Sequence, residues 1–307
     1  MKKKVIKALK TYTRAGKLPL MVGLAPFFIG GNKKKLEIFR ERINQSIHDT
    51  LLHEYYKKRI TANYSSHRKV KIESDPIWFM WLQGIDAAPA LSQANYNYLV
   101  GLFGCHVHLI TVKNVLKYVE IPQFIVRKWK KGKISNTHFS DIIRIQLLCT
   151  YGGTWIDSTV IVKKNIFQTL PDFEIPQTFK PGSDGNVIPV SNWFMHAKRD
   201  NIFNIRVRDL LFEYWKNNDF AIDYFIFHHF LIIASKEMNN YLDDILPMDN
   251  TIPHYLMLRM RRERLSVSMM EKLFDEFSVM KFTNKYENKT EIDNYLRLIE
   301  ILKQRTE

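Results

Sequence analysis

Tyr151-Gly-Gly-Thr-Trp-Ile-Asp-Ser-Thr-Val-Ile-Val-Lys163 is the stretch on which the fold turns. Two glycines end a helical pattern, and an apolar, β-branched run follows that reads as one strand over 154–162 with Asp157 near its middle. A lone carboxylate buried in a sheet costs on the order of several kcal/mol unless a metal, a cation or hydrogen-bond donors meet it. A strand that tolerates it delivers the carboxylate to a cleft at the strand end. The plainer alternative is an edge strand whose Asp157 faces water.

Upstream, Phe139-Ser-Asp-Ile-Ile-Arg-Ile-Gln-Leu-Leu148 repeats apolar residues at helical spacing, with Ser140 as N-cap of a helix over 138–149. Asp141 and Arg144 are three apart and share one face. They form either a simple intrahelical ion pair or a pair aimed at the cleft of Asp157. Further out, strands are predicted over 76–82 and 107–112, with a helix over 90–102 between them. Strand units separated by helices predict an α/β fold with a mainly parallel sheet, binding ligands at the carboxyl ends of its strands. Gln83-Gly84, which ends the first strand, falls there together with Asp157. The C-terminal third reads as helices over 202–217, 221–238 and 268–277.

The run His138-Phe-Ser-Asp-Ile-Ile-Arg144 … Tyr151-Gly-Gly-Thr-Trp-Ile-Asp157 resembles the capsular polysaccharide synthesis glycosyltransferases of the family 32 type. More distantly it is similar to yeast initiating mannosyltransferases and the large glucosylating toxins. Trp78-Phe-Met-Trp-Leu-Gln-Gly84, Ser191-Asn-Trp-Phe194, Ile222-Asp-Tyr-Phe-Ile-Phe-His228, Ile252-Pro-His254 and Met280-Lys-Phe-Thr-Asn-Lys285 extend the likeness over residues 75 to 290. It implies a GT-A nucleotide-sugar-binding fold, transfer from a nucleotide diphosphate sugar (a UDP-sugar by analogy) to a capsular or lipid-linked glycan, and retention at the anomeric carbon. It also implies Mn²⁺ or Mg²⁺, a Lewis acid for the charge developing on the diphosphate. Thr159 stands where the family's Asp-x-Asp motif has its second Asp.

Carried over residue by residue, Trp81 stacks on the base, and Gln83, Gly152 and Gly153 belong to the donor site. Asp141 and Arg144 hold the sugar, while Asp157 meets ribose, sugar or metal. Asn192 and Trp193 sit in a loop over the sugar, and Lys281 and Lys285 reach the diphosphate. Asp157, Thr159 and His254 are the candidate metal ligands. Asp157, Asp223 and Asn192 are the candidates nearest the chemistry. Plainer readings stand beside these: Trp81 as core, Asp223 as a helix cap, and His254, Lys281 and Lys285 as surface or structural residues. His228 and His229 are adjacent on a helix and point apart, a weak metal signal.

At 307 residues and 46% hydrophobic, the chain can bury a large core. Cys105 and Cys149 read as inert core thiols in a reducing compartment. Met1-Lys-Lys-Lys4 is followed by a basic amphipathic stretch, which does not read as a secretory leader. Residues 1–71 hold eighteen lysines and arginines against four acids, a net of +14 out of +15 for the whole chain. Residues 1–72 are therefore expected to form a basic helical region, and 73–307 the enzyme-like domain. Helices over 1–12 and 36–58, with the short apolar run Leu18 to Gly31 between them, suit an anionic membrane surface. The expected location is the cytoplasm, peripheral at the inner face of the plasma membrane. A solvated basic face is the plainer reading of the same charge. A nucleic-acid partner is not expected, since no binding motif accompanies it. The other functional class open to the sequence is a membrane-associated, catalytically weak scaffold of a polysaccharide assembly complex.

Overall fold

The structure is a computed structural model and describes residues 9–179 and 186–306. The predicted helix over 1–12 therefore lies mostly outside the described residues, as does the turn-rich 181–185. The N-terminal part holds α1 (9–14), α2 (Leu18–Phe28) and α3 (Lys33–Tyr55). There follow β1 (Ile77–Met80), α4 (Ala90–Phe103), β2 (Val107–Ile110), α5 (Val115–Tyr118), α6 (Gln123–Lys130), α7 (Asn136–Tyr151), β3 (Gly153–Ile156) and β4 (Val160–Val162). The remainder comprises β5 (Phe173–Glu174), β6 (Pro176–Gln177), β7 (Phe194–Ala197), α8 (Ile202–Asn217), α9 (Ile226–Glu237), β8 (Met248–Asp249), α10 (Tyr255–Arg262), α11 (Val267–Glu276), β9 (Val279–Lys281) and α12 (Lys289–Gln304).

The central sheet has the order β2-β1-β3-β7-β5. β1 runs parallel to β2 and β3, whereas β7 is antiparallel to both β3 and β5. The sheet is thus mixed rather than simply parallel. Every residue of β1 and β3 is buried, as expected of central strands covered on both faces. Helix α7 is buried along almost its whole length, and its N-cap is Ser135, whose hydroxyl accepts the His138 N–H; Ser140, the predicted cap, lies inside the helix. Gly152, at φ +73°, ends it.

The strand predicted over 154–162 is broken. β3 stops at Ile156, the Val160 N–H closes a turn onto the Asp157 carbonyl at 2.8 Å, and β4 pairs with β9 in a separate ladder. Asp157, Ser158 and Thr159 are short and polar, the chemistry of a turn. Asp157 is therefore at the carboxyl end of β3, not inside a strand.

The boundary expected at residue 72 is not a packing boundary. Ile43, Ile47, Leu51 and Tyr55 of α3 are buried in the same core as α7, α8 and α9, with the Tyr55 ring edge-on to Phe230 at 5.2 Å. By contrast, α2 is an apolar helix with no buried residue. Cys149 is buried, its thiol pushed up to about 12 by burial, but Cys105 is exposed, which corrects its reading as a core thiol.

Candidate active site

A cavity of about 400 Å³ opens at the carboxyl ends of β1 and β3. Trp81 and Gln83 line it from the end of β1, and Asp157, Ser158 and Thr159 from the turn after β3. Asp141 and Arg144 enter from α7, Asn192 from the loop before β7, Tyr224 from just before α9 and His228 from its first turn.

Arg144 ties the two carboxylates together. One terminal nitrogen donates to Asp141 Oδ1 at 3.0 Å and the other to Asp157 Oδ1 at 2.9 Å. Its guanidinium lies over the Trp155 ring, 4.7 Å from the centroid. The Trp155 indole N–H donates to Asp157 Oδ1 at 2.9 Å, and the Asn192 amide donates to Asp141 Oδ1 at 2.9 Å. The i, i+3 spacing on α7 thus gives the intrahelical pair and, beyond it, one cation bridging two elements. Asp157 is the wetter carboxylate, its side chain 31% exposed against 8% for Asp141. Burial pushes the Asp141 carboxyl up to about 7, against the pull of Arg144 and the hydrogen bond from Asn192; Asp157 pushes it the same way as burial. His228 is driven down to about 3, first by burial and then by Arg144, so it faces the cavity as a neutral ring. The Arg144 Nε, His228 Nδ1 and Trp81 Nε1 atoms are buried without a hydrogen-bond partner.

Trp81, Gln83, Asp141, Arg144, Asp157, Thr159 and Asn192 are therefore brought together. Lys281 does not line the cavity itself but reaches two residues that do, donating to Thr159 Oγ1 at 2.6 Å with Asp157 Oδ2 at 3.9 Å. The other candidates are elsewhere. Gly152 and Gly153 lie at the opposite end of β3, where a Cβ on Gly153 would stand 2.1 Å from the Pro76 carbonyl oxygen. Their part is close strand packing. Trp193 is buried, its indole N–H on Asn250 Oδ1 at 2.9 Å. Its backbone carbonyl, not its ring, serves the site, accepting the Asp157 N–H at 2.9 Å.

His254 is bonded through Nδ1 to the Asn250 carbonyl at 2.9 Å, packs edge-on to Trp193 and does not line the cavity; nor does Lys285, which is exposed. Asp223 accepts the Phe225 N–H at 3.2 Å and meets His229 Nε2 at 3.3 Å. It faces a neighbouring cavity of about 770 Å³, which shares Thr137 and Tyr224 with the first. Trp155, Tyr224 and His228 also line the cavity; of the three, the sequence singled out His228 alone, as a weak metal signal. The signal for Trp155 was its position two residues before Asp157, on the same side of β3.

The metal set read from the sequence does not fit these positions. Asp157 Oδ1 is taken by Arg144 and Trp155, Thr159 Oγ1 by Lys281, and His254 by a backbone carbonyl. Among the described residues no group of three or more His, Cys, Asp or Glu side chains is placed to hold a metal ion.

The chain is similar to O-glycosyltransferase braB of Annulohypoxylon truncatum, with 27% identity over 160 residues, covering 45% of this chain and 37% of that protein. It is also similar to glycosyltransferase afumC of Aspergillus fumigatus, with 29% identity over 147 residues, covering 41% of this chain and 37% of the relative. The chain thus spans little more than a third of the length of these curated relatives. Among solved structures, the PaToxG glycosyltransferase aligns at 13% identity with a TM-score of 0.36, over 86% of this chain and 97% of that one. The model of the capsular polysaccharide synthesis protein family matches residues 30–299, which takes in α3, the sheet, the cavity and most of α12. The chain belongs to the capsular polysaccharide synthesis protein family.

Proposed function

We propose that this protein is a GT-A-type glycosyltransferase, a hexosyltransferase moving a sugar from a nucleoside diphosphate donor, a UDP-sugar by analogy, to a surface-glycan or lipid-linked acceptor. The observation that carries this reading is the Asp141–Arg144–Asp157 bridge at the carboxyl ends of two parallel strands. Carboxylates and a guanidinium held in fixed positions suit the vicinal hydroxyls of a sugar, and their mutual bonds spare the ligand the work of ordering them. Asp141, Arg144 and Asn192 would hold the transferred sugar, and Asp157 the ribose or the sugar. Trp81, half-buried at the cavity wall with its indole N–H unpaired, would take the base. The neighbouring cavity faced by Asp223 would admit the acceptor through the shared Thr137 and Tyr224. Retention at the anomeric carbon rests on the family resemblance.

Nucleoside diphosphate binding, followed by calorimetry, tests the donor site. Base stacking on an aromatic ring is worth about 1–3 kcal/mol, so Trp81→Ala should weaken binding by roughly one to two orders of magnitude and leave the fold intact. Equal affinity in the variant would remove Trp81 from the donor site.

The acceptor side of the proposal involves a membrane. Val22, Phe27 and Ile29 are exposed on or just after α2, at 65%, 75% and 76%. Lys10, Arg14, Lys17, Lys34 and Lys35 flank them in sequence. No helix among the described residues is long and apolar enough to cross a membrane. An apolar helix with a basic surround instead suits the plane of an anionic interface, which would place the enzyme peripherally on the cytoplasmic face. Vesicle sedimentation should show binding that needs anionic lipid and falls sharply in a Val22→Ser/Phe27→Ser/Ile29→Ser variant. Undiminished binding by that variant would refute the assignment of α2.

A further inference from the structure

The turn after β3 carries a built-in cation. Antiparallel pairing of β4 with β9 sets Lys281 opposite Val160, and the Phe282 N–H on the Thr159 carbonyl at 2.8 Å fixes the register next to the turn. The Lys281 side chain is mostly buried, 17% exposed. Its ammonium donates to Thr159 Oγ1 at 2.6 Å and stands 3.9 Å from Asp157 Oδ2.

An ammonium has three donors, and one hydrogen bond is formed at this distance. The nearest carboxylate, Asp157, already accepts from Arg144 and Trp155 through its other oxygen. Thr159 anchors the ammonium without neutralising it, as a carboxylate at that position would. A divalent ion approaching Asp157 would meet two resident cations, Arg144 and Lys281, and one carboxylate already shared between them.

We propose that Lys281 takes the place of a divalent metal in this site and meets the diphosphate of the donor, so that the chain works without metal. The inference rests on the donor-site reading given above. In the transfer, the bond from the sugar C1 to the diphosphate oxygen breaks, and its electron pair leaves with the diphosphate. A C1–O bond forms to the acceptor hydroxyl, whose proton goes to water. The charge gained by the departing oxygen is then met by the Lys281 ammonium, a compact cation suited to phosphate.

The test is calorimetric titration of the purified chain with UDP and GDP, in excess chelator and again with Mn²⁺. Affinity for the preferred nucleotide should agree within about twofold between the two conditions. Lys281→Met, which keeps the length of the side chain, should lose at least about tenfold in affinity in chelator, and Lys281→Arg should recover much of it. Circular dichroism checks that each variant is folded. A tenfold or larger loss of wild-type affinity in chelator would overturn the proposal, as would a folded Lys281→Met variant that binds like the wild type. Failure of both nucleotides to bind in either condition would overturn the donor-site reading itself, and this inference with it.

Discussion

Replacing Arg144 with alanine should lower donor turnover at least about a hundredfold and destabilise the protein by about 3–5 kcal/mol. Both effects follow from one geometry. Arg144 bridges Asp141 and Asp157 at 3.0 and 2.9 Å, and Asp141 is almost wholly buried. Without the guanidinium, Asp141 loses its only ion-pair partner among the described residues, and the two carboxylates repel each other with Lys281 near Asp157 alone. Arg144→Lys keeps the charge but not the planar fork that reaches two carboxylates at once, so it should recover stability better than turnover. Removing charge on both sides separates the roles. Arg144→Met combined with Asp141→Asn leaves less uncompensated charge and should melt closer to wild type while remaining inactive. Thermal melts and donor-turnover rates on the three variants decide the matter. Wild-type turnover in Arg144→Ala would remove the bridge from the chemistry.

Gly153→Ala should not yield a folded protein. Gly153 sits at φ +85°, and a Cβ there would stand 2.1 Å from the Pro76 carbonyl oxygen and 2.8 Å from its ring. That same oxygen accepts the Thr154 N–H at 2.8 Å, the bond that starts the pairing of β1 with β3. The clash therefore falls on backbone that cannot move without parting the two strands carrying the site. Gly84→Ala is the control, because Gly84 has a comparable φ of +95° with nothing within 4 Å of its Cβ position. It should cost about 1–3 kcal/mol, the strain of the backbone alone. Soluble yield and cooperative melting compare the two directly. A cooperatively melting Gly153→Ala at wild-type temperature would show that the strands can part without loss of the fold.

Much of this architecture is legible in the residues, and the losses have physical reasons. Ile77–Met80 and Val107–Ile110 are apolar and β-branched enough to be read as strands, and the period of α7 identifies a helix followed by two glycines. Asp157 is legible as a residue of the cleft at the strand end but is misplaced within its element. β-Branched residues continue from Thr154 to Val162, so the break at the polar Asp157–Thr159 turn is hidden in an otherwise unbroken strand pattern. The transfer of β4 to a different ladder depends on β9, more than a hundred residues away, and no local pattern records it.

The same distance hides the partnership of Lys281 with Thr159. Trp193 and His254 stand apart for a different reason: their types suit a binding site, yet their rings pack edge-on against each other and both bond Asn250. The basic N-terminal segment was read from its charge. Charge describes the exposed face of α3 and is silent about the opposite face, where Ile43, Ile47 and Leu51 join the core.

The nucleotide-sugar site proposed above is the cavity holding Asp141, Arg144 and Asp157. The most direct measurement is release of nucleoside diphosphate from a panel of nucleotide sugars, comparing the wild-type protein with Asp157→Asn. The wild type should turn over at least one donor, and Asp157→Asn, folded by circular dichroism, should not. A wild-type protein inert toward the whole panel, or an Asp157→Asn variant with undiminished turnover, would contradict that assignment.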